Sequence, residues 1–172
     1  MNIVQEVLRE HSKAMCDRVV RYVGDNPRHF EQLVAVFLKG PYRVTQRAGW
    51  PLSYCAQHHP NLIKPHLKRI IKNLETPGLH DSVKRNTVRL LQFVDIPKSM
   101  QGASSSVCFK FLSNPKEPVA VRVFSMSVLA NITRKQPALR NELRIIIEDQ
   151  LPFATAGFMS RARAVLKELM DY

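Results

Sequence analysis

The stretch EPVAVRVFSMSVLANITRKQP, Glu117 to Pro137, reads as one amphipathic helix with a proline near each end. GPYRVTQRAGWPLSYCAQHHP, from Gly40 to Pro60, and TPGLHDSVKRNTVRLLQFVDIP, from Thr76 to Pro97, have the same form. The prolines explain the likeness. Pro27, Pro60, Pro97 and Pro137 each open a helix, and Pro41, Pro77, Pro115 and Pro152 each follow one and precede the next. The second series is spaced 36, 38 and 37 residues apart. Proline is tolerated in a first helical turn, where its missing N–H has no partner to lose, and is costly further in. Eight of the eleven prolines therefore mark boundaries in a unit of helix, turn, helix, turn.

An arginine keeps the same period. Arg47, Arg85, Arg122 and Arg161 lie 38, 37 and 39 residues apart, early in the second helix of each pair. Five residues on come Leu52, Leu90, Ser127 and Leu166, and eight on come Cys55, Phe93, Ala130 and Leu169. The last column is apolar throughout and predicts an inward face. Elsewhere Phe30, Leu33, Val34, Phe37 and Leu38 make one helical stripe, as do Leu139, Leu143, Ile146 and Ile147. No stretch sustains the alternation of a strand. One helix pair cannot bury its own apolar face, so a period of this length implies stacking. The expected units are 27–59, 60–96, 97–136 and 137–172, within a single domain over 1–172. Residues 1–26 are expected as a degenerate first pair or one long capping helix.

These residues resemble HEAT-type repeats. PVAVR at 118–122 matches the opening of the second helix best; DSVKR at 81–85 and YRVTQR at 42–47 are looser, and FMSRARAVLKEL at 158–169 ends the series. The Trp-Leu-Gly-Tyr arrangement of tetratricopeptide repeats is absent. The resemblance implies an all-α, right-handed α-α superhelix of about four helix pairs with an N-terminal helical cap. It also implies that second helices line an inner, concave surface. Arg43, Arg47, Trp50, Lys84, Arg85, Arg89, Arg122 and Arg161 are then candidates for a partner-binding face. The alternative for the repeat arginines is structural: Asp81 and Glu117, in the preceding turns, could pair with Arg85 and Arg122. HEAT-like alkylpurine DNA glycosylases are similar in scaffold, but they use several tryptophans and an inward carboxylate. This chain has one tryptophan, and its central acids lie at helix ends, so the activity is not carried over.

Composition narrows the partners. The chain of 172 residues carries a formal charge of +12. Between Gln32 and Leu74 there is no acid, while Lys39, Arg43, Arg47, Lys64, Lys68, Arg69 and Lys72 contribute +7. Such a balance bears on anionic partners rather than on fold. No apolar run approaches the roughly 18 residues of a membrane span, and no secretory signal is apparent at the N-terminus. Three widely spaced cysteines, Cys16, Cys55 and Cys108, fit free thiols in a reducing compartment, hence a cytoplasmic location.

Chemistry-bearing patterns are sparse. There is no Gly-rich phosphate loop, G-x-S-x-G, H-E-x-x-H or CxxC. Cys55, His58, His59 and His66 cluster in sequence, but adjacent histidines diverge by about 100° on a helix, so no metal site and no cofactor is expected. GASSSV at 102–107 reads as small residues at a close helix approach. Glu6 and Glu10 read as a solvated face. Gly49 and Pro51 beside Trp50 predict a kink or break in that helix. The expectation is a non-enzymatic scaffold binding an acidic or extended protein segment. The alternative is contact with the phosphate backbone of nucleic acid, and a glycosylase-like enzyme is the least favoured reading.

Overall fold

The computed structural model describes residues 1–171. Tyr172, the end of the last expected unit, lies outside the described residues. The chain is all-α, and no strand occurs among the described residues. It divides into two compact units, the first ending at Asp95 and the second beginning at Ile96.

The first unit holds three helix pairs. α1 (Ile3–Arg9) and α2 (Lys13–Val23) are followed by α3 (Pro27–Lys39) and α4 (Tyr42–His58). The third pair begins with a broken first helix: α5 (Pro60–Ile63), a 3-10 turn (Lys64–His66) and α6 (Leu67–Asn73). α7 (Asp81–Leu91) completes it. Pro65 falls inside the 3-10 turn, where it interrupts the α-helical bonding.

Residues 1–26 thus form a short pair and not one helix. Asn2 and Ser12 cap α1 and α2 by accepting from the Gln5 and Met15 amides. Gly24 ends α2 at φ +50, a conformation that favours glycine, with its N–H on the Val20 carbonyl. Glu6 and Glu10 are not a free solvated face. Arg18 of α2 donates to both, at 2.6 Å to Glu6, and these bonds hold Glu10 below the usual carboxylate range. The clasp ties α2 back onto α1.

α4 is the centre of this unit and packs against α1, α2, α3 and α7. Its stripe Val44, Ala48, Leu52, Cys55 and Ala56 is buried. The helix runs unbroken through Gly49 and Pro51, so the break that these residues suggest does not occur. The glycine serves a close approach instead. A Cβ at Gly49 would lie 2.7 Å from Cβ and Cγ of Asn86 on α7. Asn86 is buried and donates to the Gln46 carbonyl at 3.2 Å. The carbonyl that Pro51 leaves without its usual donor is that of Arg47, four residues back, so the Asn86 bond is a tie between α4 and α7 and not a replacement for the missing N–H.

The second unit contains α8 (Lys98–Ser113), α9 (Val119–Thr133), α10 (Arg140–Gln150) and α11 (Ala156–Met170). α9 packs against α8, α10 and α11. Ser104 and Ser105 on α8 are buried, as are Cys108 beside them and Ser125 on α9. The rest of GASSSV departs from the expected close approach: Gly102, Ala103 and Ser106 are exposed, and a Cβ at Gly102 would meet nothing within 4 Å. Pro27 and Pro60 stand at the first turn of α3 and α5. Pro97 instead caps α8, and Pro137 opens a 3-10 turn (Pro137–Leu139) that leads into α10.

One inward position is misassigned by the repeat columns. Leu90 is buried, but Phe93, read as core, is 49% exposed. α7 ends at Leu91, so Phe93 lies past the helix and leaves its register. Leu90→Ala is expected to destabilise by about 2–5 kcal/mol, and Phe93→Ala by no more than about 0.5 kcal/mol, in urea unfolding followed by circular dichroism. Gly49→Ala should cost about 1–3 kcal/mol by overpacking. Much of that loss should be relieved in the Gly49→Ala/Asn86→Gly double variant, which removes the opposing Cβ as well as the amide; strict additivity of the two would refute the close approach.

Candidate partner-binding face

The candidate residues fall on the second helices. Arg43, Arg47 and Trp50 stand on α4, with Lys84, Arg85 and Arg89 on the adjacent α7. In the second unit Arg122 stands on α9 and Arg161 on α11, which also pack together. The four periodic arginines all sit in the first or second turn of their helices, as the period predicts.

Their surroundings differ. Arg47 is half-buried and donates to the Val7 and Leu8 carbonyls, at 3.0 and 3.1 Å. These carbonyls are among the last four of α1, which lack intrahelical partners and carry the negative end of the helix dipole. A cation there needs no acid, which accounts for the absence of one near Arg47 in sequence. Arg122 does the same at longer range. Its Nε lies 3.5 Å from the Leu112 carbonyl in the last turn of α8, and its guanidinium bonds the Gln150 side chain. It also lies 4.8 Å from the ring centre of Phe158. Burial pulls the Arg122 guanidinium below its ordinary pKa. Asp81 meets Lys84 at 3.4 Å, and the Arg122 bonds described above run to α8 and α10.

Arg43, Arg85 and Arg161 are exposed, and Arg89 is partly so. Arg43, Arg47, Trp50, Tyr54 and His58 recur at helical spacing along one side of α4. Trp50 is half-exposed, edge-on to His11 with ring centres 5.7 Å apart. Lys13 lies 5.1 Å from the centre of the Tyr54 ring, and Tyr54 meets His58 edge-on at 6.2 Å. At the start of α4, the exposed Tyr42 ring lies 4.1 Å from His80. His80 in turn caps α7 by accepting from the Ser82 amide. The aromatic row of Tyr54, Tyr42 and the flanking histidines was not singled out by sequence reasoning. The spacing of Tyr54 from Trp50 was the available signal.

Cys55, His58, His59 and His66 do not assemble. Cys55 is fully buried, and burial pushes its thiol up to about 12. His66 faces Glu31 at 3.1 Å. No group of histidine, cysteine or acid side chains able to hold a metal occurs among the described residues. No helix among them is long and apolar enough to cross a membrane.

Comparison with known proteins agrees with this geometry. A family model described as a HEAT repeat domain matches residues 3–169. The chain belongs to the HEAT repeat family. No curated protein matches it, and no solved structure does. The HEAT repeat chain is thus a helical repeat scaffold of the kind used for protein interaction, with an arginine in each second helix that need not serve one role.

Arg47 and Arg85 provide the contrast. Arg47→Ala should cost about 1.5–3 kcal/mol, the range for hydrogen bonds to charged groups. Arg85→Ala should stay within about 0.5 kcal/mol, as for exposed positions. Equal effects in thermal or urea unfolding would show that the periodic arginines share one role.

Proposed function

We propose that this HEAT repeat chain is a non-enzymatic, single-domain scaffold of the cytoplasm that binds an extended, acidic protein segment. The binding face is the basic side of its second helices. The observation that carries the reading is that the packed helices α4 and α7 carry exposed Arg43 and Arg85 and part-exposed Arg89 together with the half-exposed rings of Trp50 and Tyr54. The nearby acids are already engaged, Asp17 by Lys13 and Asp81 by Lys84, so the outer charge of this face is positive. Guanidinium forks match carboxylates in two-point contacts. Tryptophan, tyrosine and arginine are the residues that most often dominate protein-binding energy. Arg161 belongs to the same proposed class of contacts on the second unit, while Arg47 and Arg122 hold the helices that present them.

A second reading rests on the rings. Trp50 and Tyr54 beside cations are also what single-stranded nucleic acid needs, since bases stack on aromatic side chains while phosphates meet the charge. A labelled glutamate-rich peptide and a labelled single-stranded oligonucleotide, each titrated by anisotropy across a salt series, separate the two. The expected result is peptide binding that weakens with salt, and a loss of about tenfold or more in Arg85→Glu/Arg89→Glu, as for removal of interfacial charge. Tighter oligonucleotide binding with quenching of Trp50 emission would favour the second reading. No binding of either at low salt would end both.

A further inference from the structure

The α5–α6 segment carries a second basic surface, made differently. Lys68 and Lys72 stand four residues apart on one side of α6, Lys64 stands in the 3-10 turn just before it, and all three are exposed. From Lys68 to Lys72 the row advances about 6 Å along α6, at 1.5 Å per residue. None of the three has an ion-pair partner among the described residues. The adjacent Arg69 does, lying 2.9 Å from Glu31 of α3, which also faces His66. Glu31 is thus taken by the arginine and the histidine, and the lysine row is left without an ion pair among the described residues. Like charges four residues apart weaken a helix, and nothing within the segment offsets this until Glu75, beyond α6.

The chemistry of the row selects among anionic partners. It consists of lysines, which act as point charges and lack the two-point geometry that selects individual carboxylates. None of the large exposed apolar side chains lies between residues 60 and 76, so nothing is available to insert into a lipid surface. No aromatic residue occurs from Pro60 to Leu79 except His66, which packs against Phe30 with ring centres 5.6 Å apart. Unstacked bases have no platform there. A row of uncompensated charge without a stacking or anchoring group suits a regular polyanion whose bases are already paired.

We propose that Lys64, Lys68 and Lys72 form a sequence-independent contact for the phosphate backbone of double-stranded nucleic acid, separate from the face of α4 and α7. Such contacts position a protein without reading bases. Each neutralised phosphate adds about 0.9 to the slope of log affinity against log salt on duplex DNA, so three lysines carry about 2.7 of it.

The test uses the full chain and a labelled mixed-sequence duplex, titrated by anisotropy from about 50 to 200 mM salt, the range in which counterion release is steep. The wild type should bind at the low end and weaken as salt rises. Lys64→Gln/Lys68→Gln/Lys72→Gln should bind more weakly and show a slope shallower by about 2.7, with unchanged helicity and melting temperature. The matched variant Lys110→Gln/Arg163→Gln/Lys167→Gln removes the same formal charge from exposed positions in the second unit. It should keep most of the wild-type slope. An equal loss in the matched variant would reduce the effect to net charge and overturn the proposal. So would an unchanged slope in the first variant, absence of duplex binding at low salt, or binding to phosphatidylserine vesicles without binding to duplex. Binding of the glutamate-rich peptide should be the same in the α5–α6 variant and the wild type, so this proposal and the reading of α4 and α7 fail on different proteins.

Discussion

A helix pair of this period has more apolar surface than its two members can hide from each other, and α4 shows how the chain meets that constraint. The helix is buried on the sides facing α1, α2, α3 and α7, leaving one strip of its surface for solvent. Such burial requires backbones to come close, and Gly49 permits the nearest approach, with Asn86 of α7 laid against it. The polar groups brought inside must still be satisfied. Asn86 answers the Gln46 carbonyl, and Arg47 answers the open end of α1. Packing and hydrogen bonding at α4 are one arrangement, because the same helix that supplies the apolar stripe supplies these polar partners.

The remaining strip of α4 is where function is proposed, and its character follows from the packing. A side chain at the edge of the buried stripe is held on one flank and wet on the other. Trp50 and Tyr54 occupy such positions, each against a neighbour from the start of the α2 segment: His11 for the tryptophan and Lys13 for the tyrosine. Rings fixed in this way lose less freedom when a partner covers them. Arg85 and Arg89 on the next helix add charge at a similar remove from the core. The lysine row of α5–α6 differs in kind. It has charge and spacing but no held ring, which is why its proposed ligand is a uniform backbone and not a segment with side chains to recognise.

The periodic arginines show how one sequence mark acquires different roles. Arg47 and Arg122 are drawn inward because the last carbonyls of a first helix lie within reach. Arg85 follows a segment broken by the Pro65 3-10 turn and is exposed. Arg161 is exposed as well. Spacing along the chain sets where each guanidinium enters its helix, but the partner it finds depends on the end of another helix, 40 residues back for Arg47 and 10 for Arg122.

Helix content, the repeat and its period were legible in the chain itself, since a proline can only stand where a helix begins or is absent, and an apolar stripe has to recur at the helical spacing. The register of the arginines followed from the same local rules. Local rules failed where long-range contacts decide. Phe93 fits its column but lies beyond the end of α7. Gly49 and Pro51 suggest a break where α4 is continuous, and Glu6 and Glu10 look free until Arg18 reaches them from α2. A sequence pattern records the angle at which a side chain leaves its own helix. Only the tertiary structure decides what stands opposite, because that is set by where the other helices end.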